Sequence, residues 1–284
     1  MADEKERNCS GAASCSRESC EGCPGAQTPV SFLEEPNAYT EVGHVIGVVS
    51  GKGGVGKSLV TATLANMLAA AGWRVGIMDA DITGPSIPRM YGLTGPASAM
   101  EEGILPEITR NDIKVMSLNL LVPDPEQAVV WRGPVIAGTV KQFWTDVIWG
   151  ELDYLLVDMP PGTGDVPLTV FQSLPVDGIM IVTSPQDLVR MIVKKAWNMA
   201  EMMNIPVLGV VENFSFVTCP DCGKKIELFG KSRAEEAAGE MGIPVAGRLP
   251  LDPSLAQAAD AGAFDTVLRD ELSDAVRIVT SLKK

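Results

Sequence analysis

Short runs of apolar residues alternate with segments of helical periodicity from about residue 41 onward. The runs are apolar on both faces, which is typical of strands in a parallel sheet that is covered on both sides. We therefore predict an α/β fold with a mostly parallel sheet and helices on both faces. The predicted strands are His44–Val49, Arg74–Met78, Tyr154–Val157, Gly178–Thr183, Val207–Val211 and Val245–Leu249, and the predicted helices are Lys57–Ala71, Pro134–Trp149, Leu188–Met203 and Thr266–Leu282.

The first forty residues differ from the rest of the chain. They are rich in Ser, Gly, Glu and Pro and lack apolar periodicity, so they cannot form a hydrophobic core of their own. We predict that residues 1–40 form a cysteine-containing tail, either disordered or ordered by a bound cluster, and that residues 41–284 form one domain.

Composition narrows the classes of partner. The chain has 284 residues, of which 46% are hydrophobic, so its core can be large. Its formal net charge of −13 disfavours nucleic acid and anionic membrane surfaces as main partners. We see neither a membrane span nor a signal peptide in the sequence and predict a cytoplasmic protein.

A glycine-rich segment joins the first predicted strand to the first predicted helix. The segment Ser50–Ser58 satisfies the pattern G-x-x-x-x-G-K-[ST] of a phosphate-binding loop, in the strand-to-helix context that this pattern requires. The fold is therefore predicted to be that of a P-loop NTPase. Lys57 would neutralise the β- and γ-phosphates, and the Ser58 hydroxyl would bind Mg²⁺. The predicted nucleotide-binding residues of the loop are Gly51, Lys52, Gly53, Gly54, Val55, Gly56, Lys57 and Ser58.

Aspartates follow two of the other predicted strands. Because ligands bind at the carboxyl ends of parallel strands, we expect these side chains near the loop. Asp158 is the candidate Walker B residue that is held near Mg²⁺, and Asp81 is the candidate that orients the attacking water. Asp79 would support the loop or the metal shell. Any one of them alone could be a helix cap or turn residue.

The six cysteines fall into two groups. Cys219 and Cys222 form a C-P-x-C-G pair, which supplies two of the four thiolates that zinc sites and Fe–S clusters usually take. Two subunits would then complete one site; a half-degenerate zinc ribbon and a thioredoxin-like redox pair are the alternatives. The other group is sufficient for a complete second cluster, unless its cysteines are incidental, and consists of Cys9, Cys15, Cys20 and Cys23.

Four motifs in order resemble the Mrp/ApbC family of Fe–S cluster carrier ATPases, within the MinD/ParA-like superfamily. They are Gly51–Ser58, Asp79–Ser86, Val157–Asp165 and Cys219–Cys222. The resemblance implies a homodimer with a [4Fe–4S] cluster bridging the paired Cys219 and Cys222. It also implies ATP hydrolysis coupled to loading of the cluster from assembly donors and to its transfer to apo-proteins.

The resemblance assigns further residues. Lys52 would contact nucleotide phosphates across the dimer interface, with a solvated loop charge as the alternative. Asn213 and Asp252 would contact the adenine, with ordinary turn residues as the alternative. The spacing C-x5-C-x4-C-x2-C of the tail differs from the C-x13-C-x2-C-x5-C of eukaryotic scaffold members of the family.

Two other classes of function share the loop. A ParA- or MinD-like positioning ATPase with a structural zinc is disfavoured by the acidic balance and the cysteine pair. An ATP-dependent electron-transfer protein is disfavoured because its bridging cysteines lie far apart in sequence, unlike Cys219 and Cys222.

Overall fold

The computed structural model describes residues 32–81, 84, 86–122, 133–162, 164–185 and 189–283. The chain divides into two units, Met1–Leu33 and Glu34–Lys284, and the second contains all the helices and strands given below. The predicted domain boundary at residue 40 stays a prediction. The predicted second cluster also stays a prediction, because its four residues lie outside the described ones: Cys9, Cys15, Cys20 and Cys23.

Strands and helices alternate along the second unit. The strands are β1 (Thr40–Ser50), β2 (Val75–Asp79), β3 (Ala99–Met100), β4 (Gly103–Ile104), β5 (Glu107–Ile108), β6 (Lys114–Ser117), β7 (Gly150–Asp158), β8 (Val176–Thr183), β9 (Val207–Thr218), β10 (Lys225–Ile226) and β11 (Val245–Pro250). The helices are α1 (Lys57–Ala70), α2 (Ile87–Met90), α3 (Gly133–Thr145), α4 (Asp165–Ser173), α5 (Val189–Met202), α6 (Ala234–Glu240), α7 (Pro253–Asp260) and α8 (Ser273–Thr280).

Within the described residues, one nine-stranded sheet runs in the order β10, β9, β8, β1, β7, β2, β6, β5, and β11 pairs with β9. Neighbouring strands are parallel except for β10 with β9 and β5 with β6. Register places Asp158 of β7 beside Val48 of β1 and Asp79 of β2. The carboxyl ends of the three strands therefore meet at one edge, where β1 enters the glycine-rich loop.

Apolar side chains cover both faces of the sheet. Val45 and Val49 of β1 pack on one face with residues of α3, α4, α5 and α6. Ile46 and Val48 pack on the other face with residues of α1, α2 and α8. This alternation is what a strand buried on both sides requires, and it confirms the predicted α/β class with a mostly parallel sheet.

Two predicted helices have wrong limits. The predicted helix Thr266–Leu282 is helical in the α form only over Ser273–Thr280, and the chain before it makes 3₁₀ turns at Phe264–Thr266 and Asp270–Leu272. Asn66 Nδ2 of α1 donates hydrogen bonds to the carbonyl oxygens of Phe264 and Val267, and the second of these would be bonded internally in the predicted helix.

The predicted helix Pro134–Trp149 begins one residue earlier and ends at Thr145. Trp149 is fully buried next to the start of β7. Its backbone N–H donates to the Thr40 hydroxyl and its indole N–H to the Phe143 carbonyl oxygen, both at 2.9 Å. Trp149 is therefore buried because it packs at the start of β7, and its position in the helical periodicity of α3 is a coincidence.

Candidate nucleotide site and cysteine hairpin

The glycine-rich loop connects the end of β1 to the start of α1. Gly54 and Gly56 have φ values of 77° and 76°, in the left-handed region that glycine adopts without steric cost. Gly56 is the N-cap of α1, and its carbonyl oxygen accepts the first helical bond from Val60 N. The first backbone N–H groups of α1 have no helical partners and suit a phosphate group.

Asp158 lies at the centre of the polar contacts beneath the loop and is fully buried. Its carboxylate lies 2.8 Å from Lys57 Nζ. It accepts hydrogen bonds from Ser58 Oγ at 2.5 Å and from Thr61 Oγ1 at 2.8 Å. Asp158, the predicted Walker B residue, therefore orients Lys57 and Ser58. The fold brings these three side chains together, as the sequence predicted.

Asp79 and Asp81 flank the same site. Asp79 is fully buried, and its carboxylate accepts hydrogen bonds from Asp81 N at 3.2 Å and Ser117 Oγ at 3.2 Å. Burial and the nearby Asp158 charge raise the pKa of Asp79 to about 8. Asp81 Oδ2 lies 3.7 Å from Lys57 Nζ. Lys57 Nζ thus lies closer to the carboxylate of Asp158 than to that of Asp81.

A cavity of about 470 Å³ opens above these residues. Its lining includes Ser50 and the loop from Gly53 to Ser58, and Asp81, Arg89 and Asp260 also contribute. Main-chain N–H groups and Lys57 suit phosphate oxygens, and the hydroxyl and carboxylate oxygens of Ser58 and Asp158 suit Mg²⁺. The residues present therefore fit a magnesium–nucleotide complex.

Thr61 and Arg89 are among the residues of this site that sequence reasoning missed. Thr61 lies one helical turn after Lys57, so its position on the same face of α1 was a signal that the pattern G-x-x-x-x-G-K-[ST] does not include. Arg89 lines the cavity from α2, with Nη2 3.8 Å from Asp260 Oδ1, and no motif marks it.

The loop that follows β7 is hydrogen-bonded to the phosphate-binding loop. Gly162 N donates to the Ser50 carbonyl oxygen at 2.8 Å. Ser50 Oγ in turn donates to the carbonyl oxygen of Lys52, a half-buried residue, at 3.1 Å. The contact of Lys52 with a second subunit stays a prediction.

Asn213 and Asp252 occupy more ordered positions than the sequence suggested. Asn213 lies inside β9 rather than after it, is fully buried, and donates from Nδ2 to the Val55 carbonyl oxygen at 3.0 Å. Asp252 is the N-cap of α7, accepts from Ser254 N at 2.9 Å, and forms an ion pair with Arg269. Their contacts with adenine stay predictions.

Cys219 and Cys222 lie on the turn of a β-hairpin. The strands β9 and β10 pair antiparallel, with Thr218 opposite Lys225. Gly223, at a φ of 70°, donates from its N–H to the Cys219 carbonyl oxygen at 2.9 Å. Both thiols are free; Cys219 is half-buried and Cys222 is exposed.

Hydrogen bonds tune the first of the two thiols. The backbone N–H groups of Cys222 and Asp221 lower the pKa of Cys219, with a further contribution from the Cys222 side chain. A thiolate is the form that binds metal, so the lowered pKa of Cys219 favours metal binding. In the described part of the chain, no group of three or more His, Cys, Asp or Glu residues is placed to hold a metal ion. The pair is therefore an incomplete site by itself.

Comparison with known proteins decides the family. The sequence model of the family described as ParA, NUBPL iron-transfer P-loop NTPase, matches residues 41–284. The chain belongs to this family. The finding confirms the resemblance to Fe–S carrier ATPases that the four motifs indicated.

Relatives of this NUBPL-type NTPase carry one common name. A protein of Methanocaldococcus jannaschii named iron-sulfur cluster carrier protein is 45% identical over 258 residues, which cover 86% of this chain and 87% of the relative. A protein of Clostridium perfringens with the same name is 45% identical over 263 residues, covering 90% and 91%.

Solved structures agree with the fold of the NUBPL-type NTPase. A nucleotide-binding protein of Archaeoglobus fulgidus, solved in complex with ADP, is 45% identical with a TM-score of 0.73 and covers 81% of this chain and 90% of its own. The cell division ATPase MinD of Pyrococcus furiosus is 21% identical with a TM-score of 0.56, covering 84% and 97%, and shares the fold.

Within the described residues, no helix is both long enough and apolar enough to cross a membrane.

Proposed function

We propose that this chain is a cytoplasmic, ATP-dependent carrier or scaffold for an iron–sulfur cluster, which it assembles at a dimer interface and transfers to apo-proteins. The observation that carries the proposal is the pair of free thiols of Cys219 and Cys222 on the same chain as a candidate P-loop nucleotide site. The names of the relatives in M. jannaschii and C. perfringens support it.

The cluster is the cargo in this proposal. Two thiolates per chain are half of the four that a [4Fe–4S] cluster usually takes, so two copies of the hairpin would hold one cluster between them. Cys219 and Cys222 stand on a short turn at the end of the sheet, where a second chain can approach both sulfurs. An assembly donor would load this site, and an apo-protein with its own cysteines would accept the cluster by ligand exchange.

In this proposal, ATP binding and hydrolysis at the nucleotide site drive cluster loading and transfer and determine when they occur. Lys57 and the N–H groups of the loop would bind the β- and γ-phosphates, with Lys52 of a second chain adding charge. Mg²⁺, held by Ser58 and by Asp158 through water, would stabilise charge on the transferred phosphoryl group. Asp81 would orient the attacking water. Asn213 and Asp252 would contact the adenine base.

Metal analysis of anaerobically purified protein tests the cargo. We expect about two iron atoms and two sulfides per chain from Cys219 and Cys222, which corresponds to one [4Fe–4S] cluster per dimer. The double variant Cys219→Ala/Cys222→Ala should lose this amount. Iron and sulfide that persist in the variant would belong to the tail cysteines. About half a zinc atom per chain and no sulfide after reconstitution would contradict a carrier and favour a positioning ATPase with a structural zinc.

Cluster transfer to an apo-protein tests the coupling to ATP. Lys57→Ala removes the ammonium that pairs with Asp158 and faces the phosphates. We expect this variant to bind the cluster but to lose the nucleotide dependence of transfer. If the variant instead keeps the wild-type response of the transfer rate to MgATP, nucleotide binding by Lys57 is not coupled to cluster transfer.

A further inference from the structure

Strand β9 contacts the phosphate-binding loop and then continues into the cysteine hairpin. The buried Asn213 donates from Nδ2 to the Val55 carbonyl oxygen at 3.0 Å. The fit is tight, because a Cβ atom at the next loop residue, Gly56, would lie 2.2 Å from the same nitrogen. The Asn213 side chain is therefore in direct contact with two consecutive residues of the loop, Val55 and Gly56.

The residue after Asn213 holds a strained backbone conformation. Phe214 has a φ of 59°, in the left-handed region that aromatic residues rarely adopt. Its N–H donates to Asn213 Oδ1 at 2.9 Å, and its ring atom Cζ lies 3.5 Å from the position of a Cβ on Gly56. Such strain persists where the surrounding contacts fix it, and here the contacts are with the loop.

The residue before Asn213, Glu212, is hydrogen-bonded to both ends of the segment that carries Cys219 and Cys222. Glu212 is fully buried, and its carboxylate accepts hydrogen bonds from Ser215 Oγ at 2.5 Å and from Ser232 Oγ at 2.8 Å. The two serines stand before and after residues 216–231, which include Cys219 and Cys222. Glu212 thus joins the two ends of that segment, and we name this arrangement the Glu212 clamp.

Arg248 of β11 extends the clamp to the hairpin. Its Nε donates to Ser215 Oγ at 2.9 Å and lies 3.4 Å from the Glu212 carboxylate. Its Nη2 donates to Glu227 Oε1 at 3.3 Å, just after β10. Glu212 and Ser215 are buried, so the inner part of this network has few alternative arrangements, because an unpaired buried member would be costly.

We propose that the consecutive residues Glu212, Asn213 and Phe214 form a mechanical link by which nucleotide at the phosphate-binding loop changes the accessibility of Cys219 and Cys222. Asn213 is hydrogen-bonded to the loop, and Glu212 is hydrogen-bonded to both ends of the cysteine-bearing segment. Because the two residues are adjacent in β9, one short stretch of backbone connects the two sets of contacts. The inference deepens the proposed function, on which it rests, by naming the residues that would couple nucleotide to the cargo site.

Alkylation of the metal-free, full-length protein tests the link. Iodoacetamide labelling is followed over time without nucleotide, with MgADP and with a non-hydrolysable ATP analogue. The tryptic peptide Ala196–Lys224 contains Cys219 and Cys222 and separates them from the cysteines of the tail. For the wild type we expect nucleotide to change the labelling rate of this peptide by about fivefold or more.

Ser232→Ala is the deciding variant, since Ser232 lies beyond the hairpin and outside the nucleotide site. We expect it to bind nucleotide with wild-type affinity, while the ratio of labelling rates with and without nucleotide falls to about one. Asn213→Ala should lower the ratio in the same way. The matched control is Ser281→Ala, whose hydroxyl donates to Ile278 O near the C-terminus, and it should keep the wild-type ratio.

Two results would overturn the link. One is a wild-type labelling rate that does not respond to nucleotide. The other is a Ser232→Ala protein in which both rates change but their ratio does not, which is the outcome for a residue that only supports the hairpin. Because no iron is present, neither result depends on whether the cysteines carry a cluster, and the iron and sulfide analysis decides that separately.

Discussion

Replacing Thr61 by valine tests how the buried Asp158 is held. The Thr61 side chain is fully buried, and its hydroxyl lies 2.8 Å from Asp158 Oδ1 and 3.1 Å from the carbonyl oxygen of Lys57. Valine has nearly the same shape, so the change removes the hydroxyl group without opening a cavity. A hydrogen bond to a charged group contributes about 1.5–3 kcal/mol, and we expect the free energy of unfolding of the nucleotide-free protein to fall by about 2 kcal/mol.

Thr63→Val is the matched control on the same helix. Thr63 is also fully buried, but its hydroxyl donates to the carbonyl oxygen of Leu59, which keeps its helical N–H partner. We expect a loss within about 1 kcal/mol. Urea unfolding followed by circular dichroism measures both losses, and an unchanged dependence on urea concentration shows that the unfolding transition is comparable. Equal losses for the two variants would refute the assignment of Thr61 as a support for Asp158.

Three further predictions concern the hairpin, the cap of α7 and the loop. Alkylation of Cys219 in metal-free protein should reach half its maximal rate at a lower pH than free cysteine, since neighbouring N–H groups lower the pKa of this thiol; a midpoint at or above that of free cysteine contradicts this. Asp252→Ala should cost about 1 kcal/mol at neutral pH, because the side chain caps α7. Hydrogen bonding lowers the pKa of Asp252 in the folded protein. The contribution of Asp252 to the free energy of unfolding is therefore present above the carboxyl pKa of the unfolded chain and is lost as the pH falls through the folded value. If urea unfolding still shows a stability difference between wild type and Asp252→Ala in acid, the cap does not depend on a charged carboxylate. Gly56→Ala should abolish nucleotide binding in calorimetry, since φ is 76° and the new Cβ would lie 2.2 Å from Asn213 Nδ2, whereas Gly239→Ala, where a Cβ meets no atom within 4 Å, should bind normally.

Local patterns in the sequence were sufficient to predict the fold class and the main residues of the candidate nucleotide site. Strand β1 and helix α1 are adjacent in the chain, and the glycines between them specify the loop by their own backbone preferences. The apolar runs predicted buried parallel strands, and the carboxyl ends of such strands meet at one edge, so Asp158 could be placed beneath Lys57 before any contact was known. These inferences depend on short stretches of chain and on general rules of sheet assembly.

Other features depend on contacts between residues that are distant in sequence. The hydrogen bonds from Asn66 to the carbonyl oxygens of Phe264 and Val267 replace a helix that periodicity favoured. The Glu212 clamp joins serines on either side of the hairpin, and a lone glutamate in an apolar strand carries no signal of that role.

The sequence by itself determined which chemical groups this protein has and the order of six of its strands and four of its helices, because apolar periodicity, glycine and proline act over a few neighbouring residues. Only the tertiary structure decided that Asn213 grips the phosphate-binding loop while the adjacent Glu212 holds the cysteine-bearing segment. Side chains on neighbouring residues of a strand point to opposite sides, and what each one meets there is set by the packing of distant parts of the chain.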